Sequence, residues 1–185
     1  MAEAQEILKP LEIKPQEGPQ EAFLSTRADI AFFGGAAGGG KSYALLLDPL
    51  RNMTNRDFSG VIFRRESPML LKPGGLWDES SKLYRLFGAE KQGKLGWVFP
   101  DVNGQIQLDT NTHGMRMQFS HLFEEDDKYA WQGGQIPWLG FDEVTQFTKT
   151  QFFYLISRIR STSGVAGCVR ATCNPDPDSW VAEFI

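Results

Sequence analysis

Little in this sequence suits a membrane, a secretory route or a thiol framework. It has no apolar run long enough to span a bilayer, which takes about 20 consecutive apolar residues. Its first ten residues, MAEAQEILKP, are acidic, where a secretory leader would be basic and then apolar. Cysteine is scarce, with only Cys168 and Cys173 in 185 residues. Both lie in an apolar, strand-like stretch and read as free thiols of a cytosolic protein, not as a disulfide or a metal pair. The two histidines, His113 and His121, are too few for a zinc site and read as ordinary surface or loop positions. Positive charge is also short: 19 Lys and Arg against 23 Asp and Glu leave a net charge of −4, which argues against a general coat for nucleic acid. There is no internal repeat and no low-complexity tract.

What remains is a globular composition, 41% hydrophobic and 23% charged, in a chain long enough for one domain with a real core. Glycine, by contrast, is concentrated. Phe32 to Leu46 reads FFGGAAGGGKSYALL, a bare stretch walled in by apolar residues. The pattern is G-x-x-x-x-G-K-S: Gly35, Ala36, Ala37, Gly38, Gly39, Gly40, Lys41 and Ser42. Ile30 to Phe33 before it reads as a buried strand, and Tyr43 to Met53 after it as a helix. Strand, glycine loop and helix together make the context of a phosphate-binding loop. Backbone N–H groups wrap the anion, so side chains must be small, and the helix start points the same way. Lys41 suits the β- and γ-phosphates, and the Ser42 hydroxyl suits Mg²⁺.

The rest of the chain reads as alternating elements. Gly18-Pro19 opens a short helix through Ser25, with proline in the first turn. Val61 to Phe63 is a strand ending in Arg64-Arg65, and Leu76 to Phe87 an amphipathic helix. Trp97 to Phe99 and Gln105 to Leu108 flank Asn103-Gly104, a hairpin signal. Met115 to Phe119 alternates as a strand. Trp138 to Phe141 is a strand ending in Asp142-Glu143. Thr148-x-x-Gln151 is a capping box for a helix over Lys149 to Arg160. Val169 to Thr172 is a last strand, stopped at Asn174-Pro175. Residues 1–17 read as a loosely ordered lead-in. Such alternation implies a mainly parallel α/β sheet, whose ligands sit at the carboxyl ends of the strands. The glycine loop, Arg64, Asp142-Glu143 and Thr172 to Asn174 all fall at such ends.

IPWLGFDE places two acids at a strand end. Asp142 suits Mg²⁺, and Glu143 can polarise a water for attack on the γ-phosphate. A small-molecule kinase needs no such glutamate, and the guanine-reading N-K-x-D pattern is absent. The reading is ATP hydrolysis coupled to movement. Gln20 carries a primary amide that matches adenine N7 and N6, with an ordinary surface glutamine as the alternative. Residues 51–94 hold nine Lys and Arg against five Asp and Glu, either a solvated surface or a local basic face for DNA phosphates. Glu124 to Asp127 reads as an exposed acidic loop.

With these residues in order, the chain resembles the N-terminal ATPase domain of tailed-phage large terminase subunits. The resemblance spans roughly residues 18–185. It is carried by GPQEAFL, FFGGAAGGGKS, VIFRRESP, WLGFDE, FFYLISRIRS and ATCNP. It implies a P-loop NTPase fold of the RecA-like ASCE type with an inserted β-hairpin. It further implies ATP with Mg²⁺, and hydrolysis that drives double-stranded viral DNA into a procapsid. Gln20 would read adenine, Lys41 and Ser42 would serve phosphate and Mg²⁺, and Asp142 and Glu143 would be the Mg²⁺ and catalytic acids. Thr172, Cys173 and Asn174 would form the coupling motif that senses the γ-phosphate. The partners implied are DNA, the portal of the procapsid, the small terminase subunit and further copies in a ring, in the host cytoplasm and away from membranes.

Two departures stand out. Where many terminases carry an arginine finger upstream of the acidic pair, the position in line here is Gln132, in YAWQGG. The finger must then come from elsewhere, with Arg64, Arg65, Arg158 and Arg160 as candidates; each could equally be a surface or strand-capping arginine. The family's C-terminal nuclease domain also has no counterpart before SWVAEFI, so no DNA cleavage is expected of this chain. A RecA-like helicase or recombinase, and an ATP-binding regulator that does no work on DNA, are the competing readings.

Overall fold

The computed structural model describes residues 13–36 and 38–185. Most of the lead-in and Ala37 of the glycine loop therefore lie outside the described residues.

A short helix, α1 (Pro19–Ser25), precedes strand β1 (Ile30–Gly34). After the glycine loop comes α2 (Lys41–Leu47), which tightens into a 3₁₀ turn over Asp48–Asn52. The single helix expected to Met53 is thus divided, because Pro49 has no N–H to donate and its ring crowds the preceding turn. Strand β2 (Ser59–Arg64) leads to α3 (Ser67–Leu71) and α4 (Leu76–Tyr84). Three strands follow, β3 (Glu90–Lys91), β4 (Gly96–Val98) and β5 (Arg116–His121). Then come β6 (Trp138–Phe141), α5 (Lys149–Ile156), β7 (Cys168–Cys173) and α6 (Trp180–Phe184). The Thr148 capping box is formed: its hydroxyl oxygen accepts from the Gln151 N–H at 3.0 Å, and the Gln151 Oε1 accepts from the Thr148 N–H at 3.2 Å.

The seven strands form one sheet in the order β1-β7-β6-β2-β5-β4-β3. The first five run parallel, and β4 and β3 turn back antiparallel. This is the mainly parallel RecA-like α/β fold expected of the sequence. The antiparallel part differs in detail. Trp97 pairs with Met117 of β5 and Lys91 of β3. Gln105 to Leu108 forms no strand, and Gln107 makes only an isolated bridge to Thr112. The Asn103-Gly104 turn is real, but the Asp101 carboxylate closes it by accepting from the N–H groups of Asn103 and Gln105, both at 2.8 Å. A local turn signal cannot say which distant strand offers the better apolar partner.

Both sheet faces carry cores because alternate residues of a strand point to opposite sides. On one face Ile62, Met117, Phe119 and Trp138 pack with Leu45, Leu46 and Tyr84 from α2 and α4. On the other Val61, Phe63, Phe141, Val169 and Ala171 pack with Phe152 and Leu155 of α5. The Trp138 ring lies so close over Gly140 that a Cβ there would stand 2.7 Å from it. The Trp138 indole N–H donates to Asp48 Oδ2 at 2.8 Å, and Asp48 also holds Arg51 at 2.7 Å and Arg170 at 3.5 Å. This buried network, which no pattern in the sequence announces, fastens the end of α2 to β6 and β7.

Two further expectations change. His113 does lie in a loop, but it is buried and not at the surface; its ring accepts from Arg116 Nη2 at 2.9 Å, and its other nitrogen faces the Gly114 carbonyl at 2.6 Å. Glu124 to Asp127 is not a plain loop, but starts a 3₁₀ helix over Glu125–Trp131. Asp127 Oδ2 accepts from the N–H groups of Phe123 and Glu124 at 2.8 and 2.9 Å. Acids are favourable there because a helix start presents unpaired N–H groups.

Candidate nucleotide-binding site

The fold gathers the glycine loop, the acids after β6 and the segment after β7 at one end of the sheet. β1 pairs with β7 and β7 with β6, so three strands deliver three pieces of chemistry side by side.

Lys41 opens α2 and is buried. Its Nζ donates to the carbonyls of Gly35 at 2.7 Å and Ala36 at 2.8 Å, and to Asn174 Oδ1 at 3.0 Å. The loop bends through Gly40 at φ 69°, a left-handed conformation that an L side chain adopts at a cost. A Cβ on Gly40 would also lie 2.8 Å from Gln20 Nε2. Gln20 is itself buried, and its amide braces the loop: Nε2 donates to the Gly40 carbonyl at 3.0 Å, and Oε1 accepts from the Gln16 N–H at 2.6 Å. A hollow of about 240 Å³ lies here between α1 and the loop, bounded by Gln16, Gln20, Phe33 and Lys41.

Asp142 is the hub of the acid pair. Its Oδ1 accepts from the Ser42 hydroxyl at 2.9 Å and the Thr172 hydroxyl at 2.8 Å. Its Oδ2 is paired with Arg64. The Nε of Arg64 is buried with no acceptor among the described residues. Glu143, next in the chain, sits at φ 57°, an uncommon conformation for a residue with a side chain and one that clusters at functional sites. Its N–H donates to the Thr172 hydroxyl at 3.1 Å. Its carboxylate accepts from the Asn174 N–H at 3.2 Å and, loosely, from Asn174 Nδ2 at 3.5 Å. Asn174 therefore joins Lys41 to Glu143, and Thr172 joins Asp142 to Glu143. The pattern of three separate motifs did not reveal these two links, because both cross between strands far apart in sequence.

The site suits a nucleoside triphosphate with Mg²⁺. A hydroxyl and a carboxylate oxygen within 2.9 Å of each other, Ser42 and Asp142, are the hard oxygen donors that Mg²⁺ takes. The glycine loop lies beside the buried Lys41 cation, with the Gly35 N–H bound to the Cys173 carbonyl at 3.2 Å.

The candidate arginines separate. Arg64 is in the site. Arg65 points elsewhere: it donates to the Leu122 carbonyl at 2.8 Å and Gln151 Oε1 at 3.0 Å, and lies 5.5 Å from the Phe123 ring centre. Arg158 bonds Ser157 and lies 5.0 Å from the Tyr154 ring centre, while Arg160 and Gln132 are exposed. Of the basic stretch 51–94, Arg51, Arg56, Arg64 and Lys82 pair with acids. Burial raises the thiol pKa values of both Cys168 and Cys173, which fits unreactive structural thiols.

The sequence model of the family described as "Terminase large subunit, T4likevirus-type, N-terminal" matches residues 32–185. The chain belongs to this terminase family. Gln20 lies ahead of the matched segment. Solved terminases share the fold. The large terminase of a thermophilic bacteriophage is 15% identical over 93% of this chain and 42% of its own, with a TM-score of 0.66. The large terminase ATPase domain of Thermus phage P74-26 is 16% identical over 92% of this chain and 69% of its own, with a TM-score of 0.63. The N-terminal domain of the DNA packaging ATPase from bacteriophage phi29 is 16% identical over 90% of this chain and 84% of its own, with a TM-score of 0.60. This terminase chain thus spans less than half the length of the thermophilic-phage enzyme. No curated protein sequence matches it.

Proposed function

We propose that this terminase chain hydrolyses ATP, with Mg²⁺, to drive double-stranded viral DNA into a procapsid. Supporting it are the family membership and the solved structures of the thermophilic-phage enzyme with ADP and with ATP-γ-S. The observation that carries it is the pair of links through Asn174 and Thr172, which tie the phosphate-binding lysine to both acids.

In this reading the backbone N–H groups of the glycine loop from Ala36 to Gly40 hold the triphosphate, while that of Gly35 stays on the Cys173 carbonyl. Lys41 exchanges its two loop carbonyls for phosphate oxygens. Ser42 and Asp142 would hold Mg²⁺, which neutralises charge on the β- and γ-phosphates when bound. Glu143 takes a proton from the attacking water. As the water oxygen bonds to the γ-phosphorus, the bridging oxygen leaves with ADP, and inorganic phosphate is released. Thr172 positions both acids through its one hydroxyl. Asn174 loses Lys41 as a partner when the lysine turns to phosphate, so its hold on Glu143 loosens. Nucleotide arrival is thereby coupled to freeing the base. Gln20 reads adenine or, by its bond to Gly40, sets the loop that receives it. Arg64 either serves the charge of the transition state within its own subunit or only steadies Asp142; in the second case a neighbouring copy supplies the finger. The motor works as a ring on the portal of the procapsid, with the small terminase subunit, in the host cytoplasm.

The test is turnover per subunit against protein concentration, with and without duplex DNA and procapsids. An arginine finger is worth roughly 10³–10⁵ in rate, so a finger supplied by a neighbour makes the rate climb steeply on assembly. A high rate independent of concentration assigns the finger to Arg64. Absence of hydrolysis in the assembled motor overturns the proposal.

A further inference from the structure

A broad hollow lies over β5, away from the nucleotide site. Strand β5 alternates: Met117 and Phe119 are buried in one core, while Arg116, Gln118 and Ser120 face the opposite side and are exposed or half-buried. Parallel strands are ordinarily covered on both faces. Here α5 covers β6 and β7, and the outer face of β5 floors a groove of about 680 Å³. It runs into a second hollow of about 410 Å³ that shares Gln118, Ser120, His121 and Trp131.

The chemistry of this groove is selective. In a chain with 23 acids and a net charge of −4, no Asp or Glu among the described residues lines the larger hollow. Lys94 and Arg116 supply positive charge, and Gln92, Gln118 and Gln135 supply amides. The one acid among the described residues of the adjoining hollow, Asp127, has an oxygen engaged by two backbone N–H groups. Arg116 is steadied by its bond to the buried His113. The polar row on β5 repeats every two residues, or about 6.8 Å. Arginine, glutamine and serine alternating along β5, with Lys94 at the edge of the groove, are donors that hold phosphodiester backbones without reading sequence. A groove with two cations and no acid, on an acidic protein, is complementary to a polyanion.

We infer that the outer face of β5, with Lys94 at its rim, is a duplex-DNA backbone site. It lies outside the nucleotide-binding residues, and it rests on the packaging-motor reading for the identity of the polyanion. It also gives the basic stretch 51–94 a specific role through Lys94 alone, since several of its other cations are paired.

Binding of the 185-residue chain to a short fluorescein-labelled duplex, followed by anisotropy across a salt series, tests this. Each phosphate contact contributes about 0.9 to the log–log salt slope. Lys94→Ala should therefore flatten the slope by about 0.9, and Lys149→Ala, on α5, should leave it unchanged. Gln118→Glu should weaken binding on the order of ten-fold at low salt by placing a like charge against phosphate, while Gln118→Asn retains affinity. Basal ATP hydrolysis without DNA should match the parent in all four, which separates failure of the groove from failure of the motor reading. Parental slope and affinity in both Lys94→Ala and Gln118→Glu overturn the assignment. So does a parent chain that hydrolyses ATP but does not bind duplex. So does loss of self-association or procapsid stimulation with DNA affinity intact, which would make the groove a protein interface.

Discussion

Replacing Glu143 with glutamine should separate nucleotide binding from hydrolysis, and the geometry sets how cleanly. The introduced amide is the same size as the carboxylate and would meet the same backbone, so the cost of φ 57° is common to both. The amide oxygen can still accept from the Asn174 N–H, which lies 3.2 Å from the carboxylate. What is lost is the charge-assisted part of a long bond, on the order of 1 kcal/mol, or about 2–4 °C in Tm for a chain of this size. The amide cannot take a proton from water, and general-base assistance is worth about 10²–10⁴ in rate, or about 3–5 kcal/mol. Nucleotide affinity should stay equal or tighten, because one negative charge near the triphosphate is gone. Asp142→Asn should behave otherwise. Asp142 holds Ser42, Thr172 and Arg64, and the Arg64 side chain is only 14% exposed. Removing its counter-charge should cost about 3 kcal/mol, so this variant should melt about 6–12 °C lower and also lose Mg²⁺-dependent binding. The assays are nucleotide titration, single-turnover hydrolysis and thermal melting on both variants. Parental hydrolysis by Glu143→Gln would refute the assignment of the base. Equal melting temperatures for the two variants would refute the hub role of Asp142.

Lys41→Ala should abolish ATP binding while shifting stability by no more than about 1 kcal/mol, since the carbonyls it leaves are at a solvent-facing loop; a nucleotide titration beside a thermal melt checks both. Glu125 gives a pH prediction. Its bond to Lys128, and then that from the Thr148 hydroxyl, hold its carboxyl below the ordinary value of 4.5. A depressed carboxyl stabilises the fold above its unfolded pKa and loses that contribution as pH falls through its folded value. Glu125→Gln should thus melt lower than the parent at neutral pH, and the gap should close below pH 4.5; a gap that persists at lower pH contradicts the pairing.

The sequence alone was enough for the parts of this protein governed by local rules. The glycine loop was legible because only Gly and Ala leave backbone N–H groups open to phosphate. The strand ends were legible because apolar runs stop abruptly at Asp142 and Asn174. The α5 cap was legible because Thr148 and Gln151 sit three residues apart and satisfy each other. Tertiary structure decided what distance in the chain concealed. It sent Arg65, just past the end of β2, toward Leu122 and Gln151, while Arg64, the last residue of that strand, met Asp142. It buried His113 beneath Arg116. It paired Trp97 with Met117 and left Gln105 to Leu108 without a ladder, because apolar partners choose strand neighbours across the sheet. It also brought Asn174 between Lys41 and Glu143, residues 133 and 31 positions away. No pattern within a single segment carries that link, since it exists only where β1, β7 and β6 lie side by side.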